Sequence, residues 1–519
     1  MPFPSPKTEL AEERAAFRSR MENAGAESIW AKFPGRIAIA LAGGGTRGAY
    51  EAGALLAFQD ARLPSHIVTA TSVGSINAAG YAAHSSTLVG NAEPVVEGWL
   101  AVTPASVGIE WTRYAWVLGG LMAASAGFGN LIGIILARHG MSPNLPSPAL
   151  TWLWLGLTGL TVMLLYDRMA YIGYVARGFF TAHTWKVDVG KAALSLGANL
   201  VVWGFLIGVL RSVHFVSRFL ALLQIYPQKA GLLAAGVALV ALTQRWWRET
   251  LSESLHRVLR LPLRPGLFPN FDRASYLRHR VSDAQLRASP MRVIFTATDL
   301  EHGTAHFFSN TPPEVLAKDP GADAEFVAEQ VEVPTDLITA VVASSAMPLV
   351  FEPIRVGGRL LADGGLCTNQ PLRPAMALGA DVVFMVMMDT LGSRRPHLDT
   401  FLDVGLRALD ILMRQNLLTD LRMSGNVNAA CERAAEALGI FPEEVELSLG
   451  PRRYRYLKAI AICPPEALPG AMLDFSPAMT EAAILQGYRD ASGQVASFLA
   501  YARDANFQRP RRVLEWDLR

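Results

Sequence analysis

The sequence predicts an α/β domain cut in two by an apolar helical insertion. Three observations carry this. Ile37 to Ala42 (IAIALA) is an apolar run of buried-strand length, followed by a glycine turn (Gly43, Gly44, Gly45, Gly48) and a helical pattern over Ala49 to Phe58. Ile67 to Thr71 is a second such run, ending in Ser72, with Gly74 and a small-residue helix behind it. Charged residues make up only 18% of the 519 residues and apolar ones 51%, against ~25% charged in soluble domains. That deficit is concentrated between Tyr114 and Thr243.

Taken in order, the first stretch has no apolar core of the kind a secretory signal carries. Thr8 to Glu22 reads as a charged helix entered through Ser5-Pro6, with Leu10, Phe17 and Met21 along one face. It is expected to pack lightly on the domain. The glycine turn then feeds a helix N-terminus, which leaves backbone N–H groups facing any negative charge placed there. Gly43-x-Gly45-x-x-Gly48 also fits a dinucleotide fingerprint, but that needs an acid at the end of the second strand, where Thr71-Ser72 stands. A plain tight turn is the third reading. An oxyanion hole explains both loops at once, because Ser72 between a buried strand and a helix start is placed as a nucleophile at a sharp elbow.

These residues resemble the patatin-like phospholipase family: GGGTRG (Gly43 to Gly48) matches its oxyanion loop and TSVGSINA (Thr71 to Ala78) its nucleophile turn. One departure is Ala70, where the usual G-x-S-x-G has its first glycine; it adds a methyl where strand and helix pass closely. The resemblance implies a three-layer α/β/α hydrolase domain. It also implies an oxyanion hole over Gly43, Gly44, Gly45, Thr46, Arg47 and Gly48, and an elbow of Thr71, Ser72, Val73 and Gly74.

The middle of the chain reads as membrane. Tyr114 to Ala137 carries no charge, Leu150 to Tyr166 is bracketed by Trp152, Trp154 and Tyr166, and Ala192 to Leu210 lies between Lys191 and Arg211. A bilayer core of ~30 Å takes about 20 helical residues. Ala230 to Thr243 is a weaker fourth run. Gly129-x-x-x-Gly133 and Gly204-x-x-x-Gly208 would let helices pack closely in lipid. Both halves of one sheet must share a compartment, so the number of crossings is even; four are expected, with two as the alternative. The distribution of Lys and Arg then places the catalytic domain in the cytoplasm, on a multi-pass protein of the inner membrane.

After Arg260 the composition is again that of a soluble domain. Leu261 to Val281 is a proline-punctuated loop leading into a short helix, and Val293 to Thr298 is a strand ending at Asp299, a turn-starting residue. Ala340 to Ala346 is a small-residue helix broken at Pro348. Ile354 to Val356 and Arg359 to Ala362 flank Gly357-Gly358, a hairpin signal. The return strand ends in Asp363-Gly364-Gly365. Read alone, Asp363 is a turn residue or the base that a serine nucleophile needs. Ser72, Asp363 and His397 would fill the hydrolase order Ser, Asp, His. The family resemblance, which extends to Ser345 to Pro348, the D-G-G turn and Asn369-x-Pro371, implies instead a Ser72–Asp363 dyad without histidine. An aspartate near its ~3.9 reference value is a poor base, so burial is expected to raise it.

Phe401 to Leu449 reads as a helical cover, Tyr456 to Cys463 as a strand, Met479 to Arg503 as a closing helix behind Ser476-Pro477, and the end as a solvated tail. The organisation is then residues 1–34, an N-terminal helical extension; 35–110 and 251–505, the two halves of the catalytic domain; 111–250, the transmembrane insertion; and 506–519, a basic and aromatic tail. Cys367, Cys431 and Cys463 stand alone, which suits a reducing compartment and argues against a zinc site. A net charge of +2 gives no bulk attraction to nucleic acid. The expected activity is ester cleavage in membrane lipid through an acyl-enzyme, with no metal or cofactor; oligomeric state is left open. A catalytically silent scaffold or lipid-binding protein is the alternative. A nucleotide-linked transporter lacks its P-loop lysine, since Ala49-Tyr50 follow Gly48.

Overall fold

The structure, a computed structural model, describes residues 6–109, 266–388, 401–449, 452–468, 473–504 and 512–515. The four apolar runs, both G-x-x-x-G motifs and His397 lie outside the described residues, whose contact pattern groups Met1–Ile109 with Pro265–Arg519. Among the described residues no helix is long and apolar enough to cross a membrane.

The unit is built on a nine-stranded mixed sheet. In chain order the elements are α1 (Pro6–Asn23), α2 (Ala26–Lys32), β1 (Ile37–Leu41), α3 (Gly48–Asp60), β2 (Ile67–Thr71), α4 (Val73–Ala83) and α5 (Glu93–Ala101). Then come β3 (Gly266–Phe268), α6 (Phe271–Arg278), β4 (Arg292–Asp299), β5 (Thr304–Ser309), β6 (Val331–Glu332) and α7 (Leu337–Ser344). β7 (Leu349–Phe351), β8 (Ile354–Val356), β9 (Arg359–Asp363), β10 (Val382–Val386) and α8 (Phe401–Leu438) follow. The chain closes with β11 (Val445–Leu449), β12 (Arg452–Arg455), β13 (Lys458–Ile462), α9 (Pro477–Asp504) and β14 (Arg512–Glu515).

The order β13-β10-β1-β2-β4 is parallel throughout, continued by β5 and β6. Strands covered on both faces must be apolar at every position, and β1, β2 and β10 are buried from end to end. Side chains alternate between faces: Ile37, Ile39 and Leu41 join the larger apolar cluster with α3, α4, α7 and α9, while Ala38 and Ala40 join a second one with Leu372 and Leu378. Helices therefore cover both faces, in three layers. At the crossing of α3 and α9 two glycines face the opposite backbone. A Cβ at Gly53 would overlap the Ile484 carbonyl, and one at Gly487 the Tyr50 carbonyl.

The register at β4 positions the site. Its Thr296 pairs with Thr71 at the end of parallel β2, and the next residue, Ala297, pairs with Asp363 at the end of antiparallel β9. β5 occupies the other edge over Ile294 to Asp299. β2 and β9 thus run toward each other along one edge of β4, and their C-terminal ends meet.

Three expectations are corrected. The helical cover stops at Leu438, before Gly439 at φ 64, and Val445 to Leu449 is a strand. The tail supplies β14, which pairs in parallel with β11. The first helix does not sit lightly: Arg14 and Arg18 reach the buried Asp60, and Phe17 meets Tyr488 edge to face. Asp299 does end its strand, its Oδ1 accepting the amides of Glu301 and His302. The Gly357-Gly358 hairpin forms with both glycines at positive φ.

Candidate active site

Ser72 sits between β2 and α4 with φ 55 and ψ −128, a backbone conformation that a non-glycine residue rarely adopts. The turn is held from several sides. The Ser72 amide donates to Ser344 Oγ at 3.1 Å, and Ser344 Oγ in turn donates to the Thr296 carbonyl at 2.5 Å. Ser75 Oγ lies 2.7 Å from the same hydroxyl, and the Ser75 amide donates to the Ser72 carbonyl. Gly74 is needed for close approach: a Cβ there would lie 2.8 Å from the Ala42 and Leu41 carbonyl oxygens. Ala70, the departure from the family pattern, is fully buried in β2.

The meeting of β2 with β9 has a chemical consequence. Ser72 Oγ donates to Asp363 Oδ2 at 2.5 Å, across 291 positions of chain. Asp363 Oδ1 accepts the Gly365 amide at 2.8 Å. A Cβ at Gly364 would run into the Thr296 carbonyl, so the turn after Asp363 requires its glycine. The aspartate is completely buried, and burial pushes its carboxyl up to about 6; the bonds from Ser72 and Gly365 and the nearby Arg273 charge oppose that rise. It is a hydrogen-bonded, desolvated carboxylate whose direct donors are a hydroxyl and an amide.

The glycine loop lies on the other side of Ser72. The Gly43 amide is taken by Asn369 Oδ1 at 3.1 Å, which ties the loop down and leaves Gly43 no free donor. Among the described residues, the amides of Gly44 and Gly45 donate to no backbone carbonyl. Gly45 and Thr46 open a short 3₁₀ turn, Gly45–Arg47, and both line the cavity at Ser72. Arg47 is buried, and Gly48 starts α3. Thr71 turns its hydroxyl to the Thr368 carbonyl, and Val73 lines the cavity beside Ser72.

That cavity has a volume of about 130 Å³. Its walls are apolar: Ile76, Val95, Trp99, Ile109, Leu277 and Phe351 among others. Ile109 is the last described residue before the apolar insertion.

Several participants leave no mark in the sequence. Ser344 and Asn369 act on backbone far away in the chain, so only the fold shows them; Asn369 has the single local signal of standing in Asn369-x-Pro371. Arg273 is buried. Its guanidinium donates to the Val342 and Ser345 carbonyls at the C-terminal end of α7 and to Asn270 Oδ1, and it stacks on Phe351 at 3.9 Å. Beneath the glycine loop, Asn77 Nδ2 donates to Glu51 Oε2 and to the Gly48 carbonyl, and Asn77 Oδ1 accepts from Trp99 Nε1 at 2.8 Å.

A strained serine at a strand–helix turn, an aspartate on it and a glycine loop beside it thus meet at one end of the sheet. The family model described as patatin-like phospholipase matches residues 39–194 and 230–376. The chain belongs to the patatin-like phospholipase family, which implies lipid acyl hydrolase activity. Among solved structures, VipD from Legionella pneumophila is similar at 12% identity, over 89% of this chain and 67% of that one, with a TM-score of 0.31. No curated protein matches.

Proposed function

We propose that this protein is an integral membrane serine acyl hydrolase that cleaves carboxylic esters of lipids through Ser72 and Asp363. The observation that carries the reading is the 2.5 Å hydrogen bond from Ser72 Oγ, on the wall of an apolar cavity, to the buried Asp363 carboxylate. Serine is a weak nucleophile until a neighbouring base takes its proton. Ser72 Oγ attacks the ester carbonyl while its proton passes to Asp363. The amides of Gly44, Gly45 and Thr46 receive the oxyanion. As the tetrahedral intermediate collapses, the C–O bond to the alcohol breaks and Asp363 returns the proton to the leaving oxygen. Water then attacks the acyl-enzyme, giving its proton to Asp363, and Ser72 leaves reprotonated with release of the fatty acid.

The apolar runs of residues 111–250 would hold this domain at the bilayer, with the catalytic halves 35–110 and 251–505 on the cytoplasmic side. Charge-free runs of spanning length support that arrangement. The test is a fluorophosphonate probe on the full chain in detergent, together with ester turnover. The wild type should label and turn over, and Ser72→Ala should do neither. Labelling that survives in Ser72→Ala removes Ser72 from the mechanism. A wild type that neither labels nor cleaves leaves the silent scaffold.

A further inference from the structure

Between β3 and the end of β4 the described chain carries five arginines: Arg273, Arg278, Arg280, Arg287 and Arg292. Four have acceptors. Arg273 is spent on the carbonyls of Val342 and Ser345, Arg278 pairs with Asp336 at 2.6 Å, Arg287 with Asp283 at 2.6 Å, and Arg292 with Asp319 at 2.9 Å. Arg280 has none among the described residues. Its guanidinium carbon lies over the Tyr276 ring, 3.9 Å from the centroid, with its stem against Gly98 of α5. Tyr276 is itself fixed, its hydroxyl donating to the Gly98 carbonyl at 2.7 Å. The contact holds the guanidinium at this place, and among the described residues its N–H groups have no acceptor.

Arg280 lines the same cavity as Ser72. Among the described residues, the ionisable side chains on that wall are His84, Arg273, Tyr276 and Arg280, and no Asp or Glu lines it. An otherwise apolar cavity with one unspent guanidinium and no acid suits an amphiphile whose acyl chain takes the walls and whose anionic group takes the fork. A guanidinium binds phosphate with two parallel N–H···O bonds, a geometry that a neutral glycerol hydroxyl cannot exploit.

We propose that Arg280 receives the phosphate of an acyl lipid lying in this cavity, so that the site prefers phosphate-bearing lipids to neutral acylglycerols. This preference deepens the hydrolase reading and rests on it for the role of Ser72. The binding itself is measurable without turnover.

The experiment uses the full chain in detergent and two single-chain ether lipids that have no ester to cleave: a 1-O-alkylglycerol 3-phosphate and the matching 1-O-alkylglycerol. The wild type should bind the phosphate-bearing lipid at least about tenfold more tightly, the scale of a charged hydrogen bond. Arg280→Gln should bring that ratio to about one. Arg280→Lys, which keeps the charge without the fork, should restore part of it and so separates recognition from misfolding. Equal binding of both lipids by the wild type overturns the proposal, as does a ratio that survives in Arg280→Gln. Inorganic phosphate is the third arm: it should displace the phosphate lipid only weakly, and displacement at matching concentrations would assign Arg280 to free phosphate instead. If the ratio behaves as expected while no ester is cleaved, Arg280 stands and the hydrolase reading falls.

Discussion

Two buried aspartates, Asp60 and Asp363, show what separates a structural carboxylate from a reactive one. Asp60, at the end of α3, accepts from Arg14 Nε at 2.9 Å, Arg18 Nε at 2.8 Å and the Tyr488 hydroxyl at 3.0 Å. Those donors come from α1 and α9, so the charge ties both helices to α3. Asp363 is buried too, yet among the described residues it accepts only a serine hydroxyl and one backbone amide. The Asp60 carboxylate is matched by two guanidiniums. Asp363 has neutral donors, and burial raises its carboxyl, so it holds a proton more tightly and can take one from Ser72. The difference lies in the partners.

The largest effect expected from breaking this contrast is at Asp363 itself. Asp363→Asn keeps the shape and removes the base, so ester turnover should fall by ~10³-fold or more. Its stability should move the other way. The folded carboxyl titrates at about 6, above its ordinary 3.8. The native state therefore binds the proton more tightly than the unfolded chain does. That stabilisation is whole below 3.8 and lost as the pH rises through 6, at which point ionisation of the buried group has cost about 3 kcal/mol. Asparagine escapes this cost. Thermal melts should show Asp363→Asn more stable than wild type at pH 8, with the gap closing toward pH 4. A variant no more stable at pH 8 than at pH 4 contradicts the raised value.

Glu51 sharpens the comparison, because it is a buried acid near the site with neither a cation nor a reacting hydroxyl. Burial pushes its carboxyl well above its usual range, against the opposing bonds from Asn77 and the Ala42 backbone. A raised carboxyl costs stability as it ionises, so wild-type stability relative to Glu51→Gln should decline as the pH rises above 4.5. Melts of Glu51→Gln and of the wild type in the same buffers check this; a difference that stays flat with pH contradicts the raised value.

How far these roles can be read from sequence follows from what each depends on. β1, β2 and β10 are legible because strands covered on both faces must be apolar throughout. Ser72 is legible because a serine between such a strand and a small-residue helix is the local pattern of a nucleophile elbow. The hairpin at Gly357-Gly358 is local chemistry and equally plain. Asp363 stands in a conspicuous glycine turn, but its contact with Ser72 depends on β9 ending opposite Ala297, a register no nearby residue encodes. β11 and β14 escape a sequence reading: VELSL and RVLE are short, mixed in polarity and defined by each other. Arg14 is invisible for the same reason, being one charge among many on a polar helix until the fold brings Asp60 beneath it. Ser344 works through backbone contacts, which leave no pattern in composition or spacing; Asn369 does the same, with Asn369-x-Pro371 as its one local signal.

The smallest effect belongs to the structural member of the pair. Removing Arg14 leaves Asp60 with Arg18, whose side chain is 47% exposed, and with the Tyr488 hydroxyl. Losing one partner of a fully buried ion pair costs ~3–5 kcal/mol, and the partial exposure of both arginines lowers this. Arg14→Met should therefore cost about 2 kcal/mol in denaturant unfolding. Turnover per folded molecule should match the wild type, since Arg14 contacts Asp60 and Glu93 on α3 and α5, not the reacting groups. A drop in turnover larger than the loss of folded protein would mean that the Asp60 clamp and the Ser72–Asp363 pair are coupled through α3, whose N-terminus carries the glycine loop, and the separation drawn between the two aspartates would fail.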